Sequence, residues 1–360
     1  MGRHKKEEDS GTLNAAISDA VKGPFDLDKF KKSKHLSNNS KYKEQTWISA
    51  SPALRQIISL PGIPEGHITL LRGHSDTGKT TALLEIAINC QKQRILPVFI
   101  VTEMKWSWLH AKTMGLEFNE IKDEEGKVID YEGFFIYVDR SSLNTVEDVS
   151  SFIADLLNEQ QKGNLPHNIC FLWDSVGSIP CRLSMDSNKN SNEWNAGAMS
   201  QQFGNFINQK IVLSRKESQQ YTNTLVCVNK IWVDKPMVPM ELPKMKNKGG
   251  NTMFGDASLV ITFGNITNSG TSKIKATKDG KDVEFAKRTK ISCDKNHITG
   301  MQTKGIVIAT VHGFILEDEI NDYKKEHSKE WSEILGGTDF KVEEEAEMKE
   351  NIKDIVYEPE

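Results

Sequence analysis

Residues 73–81 read GHSDTGKTT, set between the apolar run HITLLR (67–72) and the helical pattern TALLEIAINCQ (81–91). Two glycines, a lysine and two threonines between a strand and a helix fit a phosphate-cradling loop. Bare backbone at Gly73 and Gly78 approaches a triphosphate, and the N–H groups of His74, Ser75, Asp76 and Thr77 point at it. Lys79 then reaches the β and γ phosphates, and Thr80 sets its hydroxyl on Mg2+. Thr81 continues a helix whose positive end faces the anionic charge. The ligands this loop predicts are ATP and Mg2+.

Outward from the loop, residues 47–316 alternate strand and helix, which predicts an α/β core with a mainly parallel sheet flanked by helices. The predicted strands are HITLLR, PVFIVT (97–102), FFIYVD (134–139), NICFLWD (168–174), NTLVCVN (223–229), ASLVITF (257–263), RTKISCD (288–294) and GIVIATV (305–311). Helices fall at 81–91, 107–114, 146–160 and 198–216. The last three strands have no helices between them, so they are expected to form an antiparallel extension. Asp174 closes its strand where the Mg2+ partner of a phosphate loop belongs. Glu103, just past another strand, stands on the same carboxyl edge and is the candidate to orient or deprotonate water.

The flanks differ from the core. Residues 1–46 hold a short amphipathic helix, Leu13–Val21, stopped by Gly23-Pro24, and a polar, lysine-rich arm over 26–45. Its lysines are either a solvated surface or phosphate contacts. Residues 317–340 supply a short helical extension, and 341–360 an acidic tail. The chain has 360 residues, 46 basic and 50 acidic, for a net charge of -4, so overall electrostatics do not announce nucleic acid. The tail alone carries eight acids against three lysines, enough to account for the whole excess. Five cysteines without metal or dithiol spacing are expected as apolar fillers in a reducing cytosol. Without an apolar run of membrane-spanning length or a hydrophobic signal segment, no membrane partner is expected.

GHSDTGKTT, FIVTE (99–103), FLWDSVGS (171–178), NTLVCVNK (223–230) and KGGNTMFGDASLVITF (248–263), in that order, resemble the RecA-type homologous recombinases, most of all their phage-encoded branch. The resemblance runs from about Ser51 to Val311. It implies protomers that polymerise with ATP on single-stranded DNA, pair it with a homologous duplex, and work beside a single-strand-binding protein and a loader. It implies two DNA-binding loops. The first is 181–195, with Arg182, Lys189 and Trp194. The second is 231–251, long and Pro-interrupted, with Trp232, Lys235, Lys244, Lys246, Lys248, Gly249, Gly250 and Asn251. Asn229 and Lys230 match the γ-phosphate sensor; the bacterial enzymes usually carry glutamine at the second place, so the switch here is expected to act through charge. Lys295, with His297 beside it, matches the cations given to a neighbour's ATP. Ser107 and His110 match the base-contacting positions, with Trp106 and Trp108 as competitors. The N-terminal helix either docks on the adjacent subunit or folds back on its own core. A full C-terminal duplex-capturing domain is not expected from the few residues beyond Leu316.

Two other functions fit the same core: a ring helicase motor, and an ATP-gated strand-coating or mediator protein with feeble hydrolysis. No trans arginine finger after the sheet argues against the first, and intact Lys79, Thr80, Glu103 and Asp174 argue against the second.

Overall fold

Five runs in the core are apolar at nearly every position, a pattern that only a sheet covered on both faces can bury. In the computed structural model, which describes residues 26–34, 41–186, 197–234, 244–247, 251–266, 272–278 and 281–330, those runs become the inner strands. Numbered along the chain, the strands are β1 Trp47–Ser49, β2 Gly62–Pro64, β3 Ile68–Gly73, β4 Leu96–Val101, β5 Asn119–Lys122, β6 Val128–Glu132, β7 Ile136–Asp139, β8 Ile169–Asp174, β9 Asn223–Asp234, β10 Lys244–Asn247, β11 Leu259–Gly264, β12 Lys273–Lys278, β13 Lys281–Asn296, β14 Lys304–Thr310 and β15 Gly313–Ile315.

The main sheet runs β15-β14-β13-β11-β3-β9-β8-β4-β7, with β10 on β9 and β12 on β13. From β11 to β7 every neighbouring pair is parallel. β13, β14 and β15 are antiparallel. The extension therefore starts one strand later than expected: β11 lies parallel to β3, and its connection from β9 includes the short helix Thr252–Asp256. β1 with β2, and β5 with β6, form separate two-stranded antiparallel sheets that the sequence pattern does not announce.

Because side chains alternate across a strand, each inner strand feeds two cores. Leu71, Phe99, Leu172, Val226 and Ile261 face the core that takes helix Lys79–Lys92. Leu70, Ile100, Trp173, Cys227 and Val260 face the one that takes helix Val146–Gln161 and the helical stretch through Leu213. That stretch is a π-helix over Ser200–Ile207, then α-helix over Asn208–Leu213. A third small core, with Phe285, Ile308 and Tyr323, seats helix Ile320–Glu326 against the antiparallel strands.

Helix starts carry local signals. Thr145 and Asp148 form a capping box at Val146–Gln161. Ser51 caps Pro52–Ile58, a helix the sequence pattern left unmarked. The chain up to Tyr42 is a separate unit, in which Leu27–Ser33 forms a helix inside the segment expected as a linker or arm; Asp26 accepts the Lys29 N–H at 2.9 Å to start it. The helix expected over Leu13–Val21 and the acidic tail lie outside the described residues. All five cysteines are buried and unbridged. Among the described residues no helix is long and apolar enough to cross a membrane.

Two substitutions separate capping from packing. Thr145→Ala lowers stability by about 1 kcal/mol, and Ile153→Ala, fully buried, by about 2–5 kcal/mol; urea titration measures both.

Candidate nucleotide site

β3 ends at Gly73 and the helix begins at Lys79, so residues 74–78 bridge the carboxyl edge of the sheet. A Cβ on Gly73 would stand 2.1 Å from the Phe263 carbonyl oxygen, and one on Gly78 3.0 Å from the Phe314 ring. Gly78 also has φ 92°, a conformation that favours glycine. Asp76 takes φ 59°, one of the few non-glycine types that do so readily. Thr77 Oγ1 donates to the His74 carbonyl at 2.9 Å and braces the loop, while Ser75 and Asp76 stay exposed.

Lys79 is buried, and its Nζ donates to the His74 carbonyl and reaches Thr77 Oγ1 at 3.5 Å. Both acceptors are neutral. Burial pushes the ammonium down to about 8, against the opposing pull of Asp174. A buried cation bonded to neutral oxygens, under a loop with no room for a Cβ, fits a polyphosphate. Thr80 Oγ1 donates to Asp174 Oδ2 at 2.9 Å. Burial raises the Asp174 carboxyl, opposed chiefly by that hydrogen bond. Hydroxyl and carboxylate are the hard oxygen donors that suit Mg2+.

Glu103 follows β4, its backbone N–H on the Asp174 carbonyl at 3.2 Å. Its carboxylate accepts from Ser175 Oγ at 3.2 Å and is ion-paired to Lys230, with Lys105 at 3.5 Å. Burial alone would raise the Glu103 carboxyl, but the hydrogen bond and charge of Lys230 outweigh it and hold the group below its ordinary value. Ser75, Asp76, Lys79, Thr80, Glu103, Lys105, Trp106, Asp174 and Lys230 thus line one cleft. The register puts Lys230 beside Gly73, and its side chain lines the cleft, whereas Asn229, beside Arg72, is fully buried and is not among the residues lining the cleft.

A second hollow on the loop's other flank is lined by Asp76 to Thr81, His110, Lys287, Thr289 and the end of β14. His110 is therefore near the loop, but Ser107 uses its hydroxyl to cap helix Trp108–Met114, accepting the His110 N–H at 3.2 Å. Trp108 stacks on Tyr131 at 4.1 Å, and Trp106 packs at 4.8 Å from Phe99, which makes both core aromatics, with Trp106 also on the cleft wall. Lys287 is a loop contact that sequence reasoning misses. Its Nζ donates to the Asp76 carbonyl at 3.2 Å from 211 residues away, and a lysine on a strand far along the chain gives no local signal.

Lys295 and His297 are not at this chain's own loop. Lys295 pairs with Val260, and Val260 with Leu70, so it sits toward the opposite edge of the sheet, donating to the Phe254 and Gly255 carbonyls at 3.0 and 2.7 Å. His297, exposed, lies just beyond.

The expected DNA loops are partly ordered elements. Arg182 starts a short helix, Arg182–Asp186, and its guanidinium meets Asp148 at 2.8 Å rather than standing free. Lys189 and Trp194 lie outside the described residues. The second segment is not irregular from Ile231: β9 continues to Asp234 and β10 returns, setting Trp232 opposite Lys246 and Asp234 opposite Lys244. Antiparallel strand pairing overrides the proline-based reading over 231–234 and 244–247, which contain no proline; Pro236, Pro239 and Pro243 lie outside the described residues. Lys235, Lys248, Gly249 and Gly250 lie outside the described residues. Asn251 stands before helix Thr252–Asp256 and accepts from Asn247 at 3.1 Å.

No family model matches the chain. It is 25% identical over 268 residues to Protein RecA of Streptococcus equi subsp. zooepidemicus, in strains MGCS10565 and H70, and of Streptococcus equi subsp. equi strain 4047. The match covers 73% of this chain, and the chain spans 60% of the length of these curated relatives. It supports a RecA-like relationship, in agreement with the α/β core described above.

The Lys79 environment sets a pH dependence. Below about 8 folded and unfolded chains both carry the proton, and the cost of the buried charge is fully present. Between about 8 and 10.5 the unfolded chain binds more protons, so stability rises with pH. Without nucleotide, Lys79→Met is expected to be more stable than the parent at pH 7 by about 1–3 kcal/mol, a gap that closes across that window in thermal melts.

Proposed function

We propose that this protein is a RecA-like, DNA-dependent ATPase that assembles on single-stranded DNA and pairs it with a homologous duplex. The observation that carries the reading is the meeting of Lys79, Thr80, Asp174, Glu103 and Lys230 in one cleft, with Lys230 on a strand that runs unbroken into the β9–β10 hairpin.

In this reading water attacks the γ phosphorus in line, its O–P bond forming as the bond to the β–γ bridging oxygen breaks. Glu103 orients the water and accepts its proton; Lys79 offsets the charge that gathers on the leaving diphosphate. Mg2+, held by Thr80 and Asp174, would supply further neutralisation of phosphate charge. Lys295 and His297, toward the far edge of the sheet, would serve an adjoining protomer's nucleotide in a filament.

Lys230 gives the switch its chemistry. While it is paired to Glu103, the carboxylate is not free to take a proton. A γ phosphate competes for the same ammonium, and the movement passes along β9 to the segment expected to grip DNA. A charge-based sensor is thereby also a brake on hydrolysis without DNA.

The decisive experiment combines turnover with and without single-stranded DNA and electron microscopy with a non-hydrolysable ATP analogue. Helical filaments and DNA-stimulated turnover are expected; closed rings without DNA favour the helicase, and unstimulated feeble turnover the coating protein. Glu103→Gln keeps nucleotide binding and loses about 10²–10⁴-fold in turnover. Lys230→Ala raises DNA-independent hydrolysis and abolishes the ATP-dependent gain in DNA affinity, a coupling of about 5- to 150-fold; an intact gain places the sensor elsewhere.

A further inference from the structure

Away from the nucleotide cleft, three metal-ligating side chains meet at the end of the antiparallel extension. His312 lies in the turn between β14 and β15; His327 and Glu330 follow helix Ile320–Glu326. Their donor atoms all lie within 4.8 Å of one another. Glu330 Oε2 is 3.2 Å from His327 Nδ1 and 3.6 Å from His312 Nε2. A tetrahedral ion with bonds of about 2.0–2.2 Å separates its ligand atoms by about 3.3 Å, so the Glu330 oxygen already stands near that spacing from one nitrogen of each imidazole.

We propose that His312, His327 and Glu330 form a binding site for a divalent transition-metal ion of the zinc type, with Tyr323 as its orienting group. The Tyr323 hydroxyl is 2.8 Å from His312 Nδ1, which turns Nε2 toward Glu330, the outer-shell arrangement that ligating histidines use. The two imidazole rings stack at 3.9 Å and 16°. An ion in the plane of both rings needs the stack to open, and His327, just past the end of its helix, is the ring placed to turn. The side chains are 23%, 19% and 42% exposed, enough for an ion to enter and for water to take a fourth position.

Imidazole donors select zinc-like ions over Mg2+, so this site is chemically separate from the nucleotide metal. Its place gives it a consequence. A bound ion ties the segment leading toward the acidic tail to the turn before Phe314, whose ring packs beside Gly78 of the phosphate loop.

The test uses the full-length protein, stripped of metal and without nucleotide, with Co2+ as spectroscopic probe and Zn2+ as competitor. Expected are the visible absorption of four-coordinate Co2+ at one ion per chain, its loss on adding Zn2+, its persistence in excess Mg2+, and a raised melting temperature with Zn2+. Glu330→Gln, at the surface and so safe for folding, and His327→Ala each weaken Zn2+ binding at least about tenfold, and Tyr323→Phe by about 10- to 100-fold. His167→Ala leaves binding unchanged. No Co2+ band in the parent chain, or a band that survives both Glu330→Gln and His327→Ala, overturns the site.

Discussion

Burial of the sheet on both faces is the constraint on which the other features depend. Leu70 and Leu71, Ile100 and Phe99, Trp173 and Leu172 each send neighbouring side chains into opposite cores, so an unpaired charge along the middle of these three strands would be costly. Charge collects where strands stop. Gly73, Asp174 and Glu103 are at or just past the carboxyl ends of β3, β8 and β4, and the register sets Lys230, partway along β9, level with Gly73, so the four fall in one row. The cleft is a by-product of how the core is packed.

The charges in that row are poised rather than satisfied. Lys79 is buried against neutral oxygens, Asp174 is lifted by desolvation, and Glu103 is held down by Lys230 despite partial burial. The first and last of these departures are the kind that a bound polyphosphate reverses, since it supplies the anion that Lys79 lacks and competes for the cation that Glu103 holds. A strand running straight from the loop's neighbour at Lys230 to Asp234 is a stiff link, which makes a local exchange of ion pairs readable at a distance.

Much of this is legible in the sequence, and the reasons are specific. Gly73, Gly78, Lys79 and Thr80 are contiguous or nearly so, so their geometry is local and their spacing announces it. Asp174 and Glu103 are remote, yet both end apolar runs, and a carboxylate closing a buried strand has few structural uses. Lys287, which reaches the loop from β13, has no such marker. Arg182 looks free in the sequence because its partner Asp148 is a helix-capping residue 34 positions earlier. The β9–β10 hairpin is hidden by prolines that fall between its strands, and the His312–His327–Glu330 cluster by being split across a turn and a helix end.

From residue order alone came the α/β class, the phosphate loop and the strand-end carboxylates, because period-two burial and loop chemistry are written in neighbours along the chain. Tertiary structure decided that β11 is parallel to β3, that Lys230 pairs with Glu103, and that Lys295 sits away from the cleft at Lys79. Those facts depend on strand order and on contacts between residues far apart in the chain, and many strand orders satisfy the same hydrophobic pattern. Only the packing of strands and helices against one another selects one.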